Sequence, residues 1–355
     1  MDRISEDRAL LALSGLYENY GYTRFKMSRF EEYDLYVRNK DFLVSDQVIT
    51  FTDRTGRLLA LKPDVTLSII KNGAAEGVRK VYYNENVYRV APGSESFQEI
   101  TQVGLECVGQ IGDYEIAETV VLAVKSLSLL GRHFALELSH MGLVSAVLDG
   151  AGIPQKEKQY ALGCIQRKSL HELEQLCKAC GADSRHLQLL MSSDLEAIGR
   201  AMTTAEEKEN FDAFHRLWQV LQRCGAAEHI RINFSVGSDM KYYCGAVFKG
   251  YLEGIPTGVL SGGQYDGLML KMGHSGGAIG FAIYASLLER LFDRGADFDV
   301  DTVLLYTDAD DAADILRARE RLGNVLVVKE SPRGLRCRNL MKMVDGEAVL
   351  LENYG

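Results

Sequence analysis

The feature that most constrains the fold of this chain is a pair of strand-like runs separated by only six residues. The runs are VRKVYYNENVYRV (78–90) and FQEITQVGLECVG (97–109), and both contain many β-branched and aromatic residues. Such runs are typical of β-strands, and a loop as short as APGSES (91–96) joins strands that lie side by side. The sequence therefore predicts a β-hairpin with a loop that is able to close over a ligand.

Helical spacing of apolar residues predicts a first helix that Ser5 caps and Gly21 ends. A second hairpin is predicted in VITFTDRTGRLLALK (48–62), and a helix over 114–131. From 141 to 229 the signals are almost entirely helical, with the S/T-x-x-E spacing of a capping box at Ser169 and at Thr204. We interpret this last stretch as a helical insertion.

Strand signals resume at 230–261. The glycine-rich stretches SGGQYDGL (261–268) and GHSGGAIGFA (273–282) follow, and AIYASLLERLF (282–292) is predicted to be an apolar helix. From about 299 the pattern predicts a strand, a helix and a second strand, which together form a small β-α-β unit.

Composition excludes several classes of protein. Forty Lys and Arg against 49 Asp and Glu give a net charge of −9, so no basic surface for a nucleic-acid backbone is expected. The N-terminus has no apolar signal core, and no run approaches the ~18 apolar residues of a membrane span. Seven scattered cysteines indicate a reducing cytoplasm, and the C-x-x-C of Cys177 and Cys180 is interpreted as two ordinary helix residues.

The glycine-rich stretches do not match known phosphate-binding loops. GHSGGAIG lacks the GK[ST] end of a Walker loop, and SGGQYDGL does not fit G-x-G-x-x-G within a β-α-β unit. We therefore expect these glycines to serve turns and close backbone packing.

Polar residues in ALKPDVT (60–66) have two interpretations. Asp64 and Thr66 are able to hold a ligand's ammonium group through charge-assisted hydrogen bonds. Local evidence favours the alternative, a capped turn that opens the helix VTLSIIKN, because Asp and Thr are both suited to N-caps.

On the strand FQEITQVGLE, period-two counting places Gln98, Gln102 and Glu106 on one face, which is either solvated or lines a site for a small polar ligand. Tyr242 and Tyr243 are predicted to lie in a strand with one ring on each side, so that one ring shares the face of Glu106. Paired tyrosines are also common strand residues with no ligand.

Together and in this order, these motifs resemble the catalytic domain of the histidyl-tRNA synthetase family. The resemblance covers nearly all of residues 1–295 and rests on five motifs that keep their order and approximate spacing. They are GYTRFKMSRFEEYDLY, TFTDRTGRLLALKPDVT, YRV…FQEITQVGLECVG, SDMKYYCGAVF, and GGQYDGL followed by GGAIGFA.

The resemblance implies an α+β class II synthetase-like fold, an antiparallel sheet flanked by helices, over 1–140 and 230–297. The helical insertion (141–229) and a small C-terminal α/β unit (298–355) complete the expected organisation. The sheet face holds histidine in that family. Carried over residue by residue, its histidine-binding positions are Asp64, Thr66, Arg89, Gln102, Glu106, Tyr242 and Tyr243.

Departures from the family are concentrated where the synthetase binds ATP. The loop after Arg89 is APGSES in place of an arginine-containing loop, and family arginines fall at Ser238, Gln264 and Leu287. Arg290 lies three residues beyond the last of these and would partly restore it if the helix shifted. Because charge on a reacting triphosphate needs fixed cations, aminoacylation is not expected, and no catalytic residue, metal or cofactor is assigned.

A synthetase-like chain without these arginines resembles the regulatory subunits of ATP phosphoribosyltransferase. That resemblance implies a non-catalytic partner of the short-form catalytic subunit in the first step of histidine biosynthesis. It also implies histidine as the feedback effector, in the synthetase-like pocket or at a subunit interface, and a homodimer within a hetero-octamer. The alternatives are a divergent histidyl-tRNA synthetase, a tRNA- or histidine-sensing module, and a structural protein with a vestigial pocket.

Overall fold

The computed structural model describes residues 6–43, 48–71, 73, 77–90, 96–192, 194–237, 242–288 and 298–354. The described residues form two compact units, the first within residues 6–288 and the second over residues 298–354. The helical residues 141–229 fall in the first unit together with the large sheet. The finer boundaries expected for a separate insertion and a C-terminal unit stay predictions.

The predicted hairpin of 78–109 is confirmed and lies at the centre of the first unit. Strands β5 (Val78–Val90) and β6 (Phe97–Gly109) pair antiparallel over 13 residues each, from Val78 opposite Gly109 to Val90 opposite Phe97. The register sets Tyr83, Glu85 and Val87 on the same face of the sheet as Gln102 and Glu106.

Within the described residues, eight strands form the large sheet in the order β1-β5-β6-β11-β10-β9-β7-β8. The two outermost pairs are parallel and the inner pairs antiparallel, so the sheet is mostly antiparallel as expected. The remaining strands of this sheet are β1 (Thr23–Arg24), β7 (Phe134–His140), β8 (Ile230–Ile232), β9 (Ala246–Leu252), β10 (Leu260–Gln264) and β11 (Gly277–Tyr284).

A smaller sheet contains the second predicted hairpin. Strands β3 (Thr50–Thr52) and β4 (Leu58–Leu61) pair antiparallel, and β2 (Phe30–Glu32) pairs with the other edge of β4. The turn between β3 and β4 includes Gly56, whose φ of +83° favours glycine.

Helices cover both faces of the large sheet. Helix α1 contacts α4, where the Tyr17 hydroxyl lies 3.0 Å from Ser126 Oγ, and α4 contacts β9 and β11. On the opposite face, Val65 and Ile69 of the α3 segment pack with Val81, Tyr83 and Val87 of β5. The helices of this part are α1 (Glu6–Asn19), α2 (Tyr33–Arg38), α3 (Thr66–Lys71) and α4 (Asp113–Leu130).

The predicted helical stretch is confirmed. Thr204 and Glu207 form the expected capping box, in which each side chain accepts a hydrogen bond from the other residue's backbone N–H. The expected box at Ser169 is wrong, because the Ser169 side chain does not cap the helix that follows and Glu172 pairs with Arg167. The helices are α5 (Met141–Gly150), α6 (Lys158–Gln166), α7 (Leu170–Cys180), α8 (Ser184–Ser192), α9 (Leu195–Ala201) and α10 (Ala205–Arg223).

The predicted helix over 282–292 is wrong in its described part. Strand β11 continues through Ala282 to Tyr284, and only a single 3-10 turn, Ala285–Leu287, follows. The short apolar run AIY (282–284) has neither the spacing of a helix nor the alternation of a strand. Its conformation is therefore set by backbone pairing with β6 and β10. Helix α11 (Asp266–Lys271) lies between β10 and β11.

The second unit confirms the predicted β-α-β pattern. Strand β12 (Val300–Leu305) is parallel to β13 (Val325–Val328), and α12 (Ala312–Leu322) connects them. Strands β14 (Cys337–Val344) and β15 (Glu347–Asn353) extend the sheet on the other side of β12. Neither unit contains, among its described residues, a helix that is long and apolar enough to cross a membrane.

His140 joins the sheet to the helical stretch and is buried. It precedes α5, and its Nδ1 accepts a hydrogen bond of 3.0 Å from Leu143 N, so the ring is neutral with its proton on Nε2. Burial lowers the pKa of His140 to about 4. Protonation would place a donor where the cap needs an acceptor.

We predict that the free energy of unfolding of the wild type falls, relative to that of a His140→Asn variant, as the pH drops from 6.5 towards 4. In this window the unfolded histidine binds a proton and the folded one does not, so the loss between pH 7 and pH 5 is about 2 kcal/mol. Urea unfolding at both pH values measures this loss. His140→Asn keeps a capping acceptor without a titration, so an equal loss in this variant would contradict the prediction.

Candidate functional site

All seven residues that the sequence analysis singled out line one cavity of the first unit. The cavity has a volume of about 370 Å³ and lies over the face of β6, β10 and β11 that α3 also covers. The seven residues are Asp64, Thr66, Arg89, Gln102, Glu106, Tyr242 and Tyr243. Residues that are up to 179 positions apart in the chain are therefore brought together, as the resemblance implied.

Glu106 lies at the bottom of the cavity and is only 2% exposed. Thr66 Oγ1 donates a hydrogen bond of 2.8 Å to its Oε1, and the Tyr265 hydroxyl donates to its Oε2. Both carboxyl oxygens are therefore fixed by hydroxyl groups from two other segments, which holds the side chain in a single orientation.

The electrostatic environment of Glu106 disfavours its charge. Burial is the largest cause and raises the pKa to about 8, with a further contribution from the nearby Asp64 carboxylate. The hydrogen bonds from Tyr265 and Thr66 oppose this rise. Glu106 of the unliganded site is therefore mostly neutral at pH 7.

Of the two interpretations of ALKPDVT, the structure confirms the cap at Asp64, and its role as a partner for an ammonium group stays a prediction. Its Oδ1 accepts a hydrogen bond of 3.0 Å from Leu67 N, so the expected cap of α3 is confirmed. The side chain also lines the cavity. Burial raises the pKa of Asp64, while the bond from Leu67 and the charge of Arg89 oppose that effect.

Arg89 is the cation of the site. It lies near the end of β5, is 6% exposed, and its Nε finds no hydrogen-bond partner among the described residues. A buried guanidinium nitrogen without a partner is costly unless a ligand supplies an acceptor. Among the described residues that line the cavity, Arg89 alone carries a positive charge.

The prediction for the tyrosine pair is wrong in its local structure. Tyr242 and Tyr243 precede β9 in an irregular segment instead of lying in a strand, so both rings are able to line the cavity. The rings are 4.7 Å apart between centroids at an angle of 75°, an edge-to-face contact. Tyr242 also packs against Tyr265 at 5.6 Å and Phe42 at 5.8 Å.

Strand glycines form the floor of the cavity. A Cβ on Gly280 would overlap with Glu106 Oε2 and with the Leu105 carbonyl oxygen. On Gly263 it would lie 2.7 Å from Cδ1 of the Tyr243 ring. The glycine-rich stretches therefore serve close packing, as expected, and they let Glu106 and Tyr243 lie directly on the sheet.

The positions where the chain departs from the synthetase are only partly described. Gln264 Nε2 donates a hydrogen bond of 2.7 Å to Asp266 Oδ2, and Leu287 lies in the 3-10 turn after β11. The predictions for Ser238, Arg290 and the loop residues 91–95 lie outside the described residues.

Sequence analysis missed Tyr265, the second hydroxyl donor to Glu106. The two residues are 159 positions apart, and Tyr265 stands between a glycine-rich strand and a short helix, where period-two counting does not apply. Its place in SGGQYDGL was noted only for the glycines. Within the described residues there is no group of three or more His, Cys, Asp or Glu side chains that could hold a metal ion.

A mostly antiparallel sheet with helices on both faces and a polar cavity on one of them is the architecture of a class II aminoacyl-tRNA synthetase-like fold, which the solved relatives share. The sequence model of the family described as histidyl-tRNA synthetase matches residues 4–288. The chain therefore belongs to the histidyl-tRNA synthetase family.

Among its relatives, an ATP phosphoribosyltransferase regulatory subunit from Clostridium acetobutylicum is 26% identical over 298 residues, which cover 79% of this chain and 73% of the relative. A solved ATP phosphoribosyltransferase regulatory subunit/histidyl-tRNA synthetase from Bacillus halodurans has the same fold. Its TM-score is 0.77 and its identity 21%, with 95% of this chain and 93% of that chain covered.

A chain of the solved ATP phosphoribosyl transferase (HisG:HisZ) complex from Thermotoga maritima also shares the fold. The TM-score is 0.62 at 20% identity, and the match covers 79% of this chain and 97% of that chain. At these identities the two structures support the fold alone.

We predict that Gly280→Ala destabilises the protein and closes the site, because the added methyl group overlaps with Glu106 and the β6 backbone. Overpacking of this kind costs about 1–3 kcal/mol. The matched control is Gly267→Ala in α11, where a Cβ meets nothing within 4 Å. Thermal unfolding of both variants tests this, and equal melting temperatures would refute it.

Proposed function

We propose that this chain is a non-catalytic regulatory subunit of ATP phosphoribosyltransferase that binds histidine as an effector in the cavity around Glu106. Its partner is the short-form catalytic subunit, which needs it for the first step of histidine biosynthesis. The pair forms a hetero-oligomer in which this chain is a homodimer, in the cytoplasm. The seven cysteines, all of them free, are consistent with a reducing compartment.

The polar groups of the cavity support a zwitterionic amino acid as the ligand. Arg89 offers a buried donor for the carboxylate, and Asp64 with Thr66 offers acceptors for the ammonium group. Gln102 and Glu106 are able to hydrogen-bond a polar side chain, and the Tyr242 and Tyr243 rings give a ring-shaped ligand apolar contact.

The observation that carries the non-catalytic part is the charge of the cavity lining. Among the described residues that line it, two carboxyl groups stand against one guanidinium. Adenylate formation needs fixed cations around a triphosphate, which this lining does not supply. A free amino acid carries no such charge and fits the same lining.

Support for the partner comes from the relatives. The Clostridium acetobutylicum relative, 26% identical, is a regulatory subunit of ATP phosphoribosyltransferase. A second, from Oceanobacillus iheyensis, has the same name and is 25% identical over 376 residues, covering 99% of this chain. Because these matches extend over most of both chains, we propose the same partner here.

The proposed mechanism is allosteric. If histidine binds the cavity more tightly in one state of the complex, it shifts the complex towards that state by its difference in affinity. The coupling is reciprocal, so docking of the catalytic subunit changes histidine affinity by the same factor.

A divergent histidyl-tRNA synthetase is the second candidate, because the family model that matches residues 4–288 is that of the synthetase. Histidine-dependent ATP–pyrophosphate exchange distinguishes the two. Exchange by the isolated chain would support the synthetase, and no exchange from a sample that binds histidine supports the regulatory subunit.

We predict that phosphoribosyl-ATP formation by a short-form catalytic subunit from the same source rises on addition of this chain and falls again with histidine. A coupled assay for phosphoribosyl-ATP, together with size-exclusion chromatography, measures activity and association. The proposal fails if neither activity nor association changes when the two chains are mixed.

Arg89→Gln is expected to separate histidine binding from activation of the partner, the two parts of the proposal. Without its guanidinium the cavity loses its donor for the ligand carboxylate, so histidine affinity falls at least about tenfold, since a buried charged hydrogen bond is worth more than 1.4 kcal/mol. Activation of the partner should persist, because Arg89 is buried in the cavity. Calorimetry of histidine binding and the activity assay measure both, and unchanged histidine affinity would exclude Arg89 from the site.

A further inference from the structure

The charged groups of the cavity form an unbalanced set. Asp64, Glu106 and Arg89 are the ionisable acids and bases among its described lining residues apart from tyrosines. If both carboxyl groups are ionised, the set has a net charge of −1 in a buried site, and if Glu106 keeps a proton the charge is zero. Charge that is buried without a counter-charge is costly, so the unliganded site favours the protonated Glu106.

Among the described residues, the tyrosines of the lining and the nearest thiol leave this balance unchanged near neutral pH. The tyrosines that face Glu106 stay neutral, because burial raises the pKa of Tyr83, Tyr242, Tyr243 and Tyr265 above its usual range. Cys107, the next residue on β6, is a buried thiol whose pKa is raised to about 12, again mainly by burial. Tyr284 completes the tyrosines of the lining.

A bound amino acid adds one ammonium and one carboxylate, which together carry no charge. The charge of Asp64 balances the ammonium group and the charge of Arg89 balances the carboxylate. The net charge of the complex therefore depends only on Glu106 and the ligand side chain. The net charge is zero in two cases: Glu106 is protonated and the ligand side chain is neutral, or Glu106 is ionised and the ligand side chain is cationic. In both cases one titratable proton is held between Glu106 and the ligand side chain.

We propose, on the basis of the function proposed above, that Glu106 and the ligand side chain share a single proton and that the site selects an amino acid with a weakly basic ring. The ring enters neutral, and the proton of the Glu106 carboxyl moves to the ring nitrogen. An imidazolium–carboxylate pair forms, with no proton exchanged with solvent. An amide or aliphatic side chain cannot accept this proton.

Tyr265 and Thr66 are positioning residues in this scheme. Each donates a hydrogen bond to one oxygen of Glu106, and both bonds strengthen when that carboxyl gives up its proton. The Tyr265 hydroxyl therefore favours the ionised form of Glu106 and so favours transfer of the proton to the ligand ring.

The test is calorimetry of L-histidine binding to the full chain between pH 5.5 and 9, in two buffers with different ionisation enthalpies. The association constant should be flat between about pH 6.5, where free imidazole titrates, and about pH 8, where Glu106 titrates. It should fall about tenfold per pH unit beyond each limit. At pH 7.2 the two buffers should give the same heat.

Variants test whether Glu106 sets the upper pH limit of the flat region. Tyr265→Phe removes a donor that favours ionised Glu106, so the upper limit should move up by about one pH unit, a tenfold change in ionisation. Tyr17→Phe, which removes a buried hydroxyl paired with Ser126, should leave it unchanged. In Glu106→Gln the upper limit near pH 8 should disappear, so the association constant, although lower, should stay flat above about pH 6.5 until the ligand's amine titrates.

The outcomes separate this inference from the function on which it rests. An affinity that rises steadily from pH 6.5 to pH 8, with proton release into the buffer, would overturn the shared proton and leave histidine binding intact. An unchanged upper limit in Tyr265→Phe would remove Tyr265 from the scheme. Absence of histidine binding at every pH would overturn both the inference and the proposed effector.

Discussion

The carboxyl group of Glu106 and the two hydroxyls that hold it are the interaction on which the rest of the site depends. Thr66 begins α3, Glu106 lies on β6, and Tyr265 precedes α11, so two hydrogen bonds connect three segments over one sheet face. Burial makes this carboxyl costly to ionise, and the hydroxyls lower that cost. The effect of burial is the larger of the two, so the Glu106 carboxyl is mostly protonated at pH 7.

If the proposed function holds, this arrangement would let a synthetase fold serve regulation. Holding an amino acid requires a few matched polar groups, and Asp64, Thr66 and Arg89 of the lining are the groups proposed for this role. Activating one requires cations around a triphosphate as well. The two requirements fall on different residues, so a chain that keeps the first set without the second retains binding and gives up the reaction.

The fold was predictable where local patterns and tertiary pairing agree. The hairpin of β5 and β6 was predicted from its strand pattern and the capping box at Thr204 from its spacing, although the same spacing at Ser169 forms no box. The pattern failed at 282–284, where an apolar run without a period was drawn into the sheet between neighbours distant in sequence. Tyr265 was missed for the same reason, because its partner lies 159 positions away and no local pattern encodes that contact.

The glycine floor has a consequence for how a signal leaves the cavity. Where Gly262 and Gly280 line the cavity, the surface is main chain fixed by the pairing of β10 with β11, with no rotamers to rearrange. A ligand in the cavity would therefore order no side chains on this floor and would leave its backbone unchanged. If ligand binding is signalled to a partner as proposed, the signal would therefore pass through side chains of the walls, such as the packed rings of Phe42 and Tyr242, and not through the glycine floor.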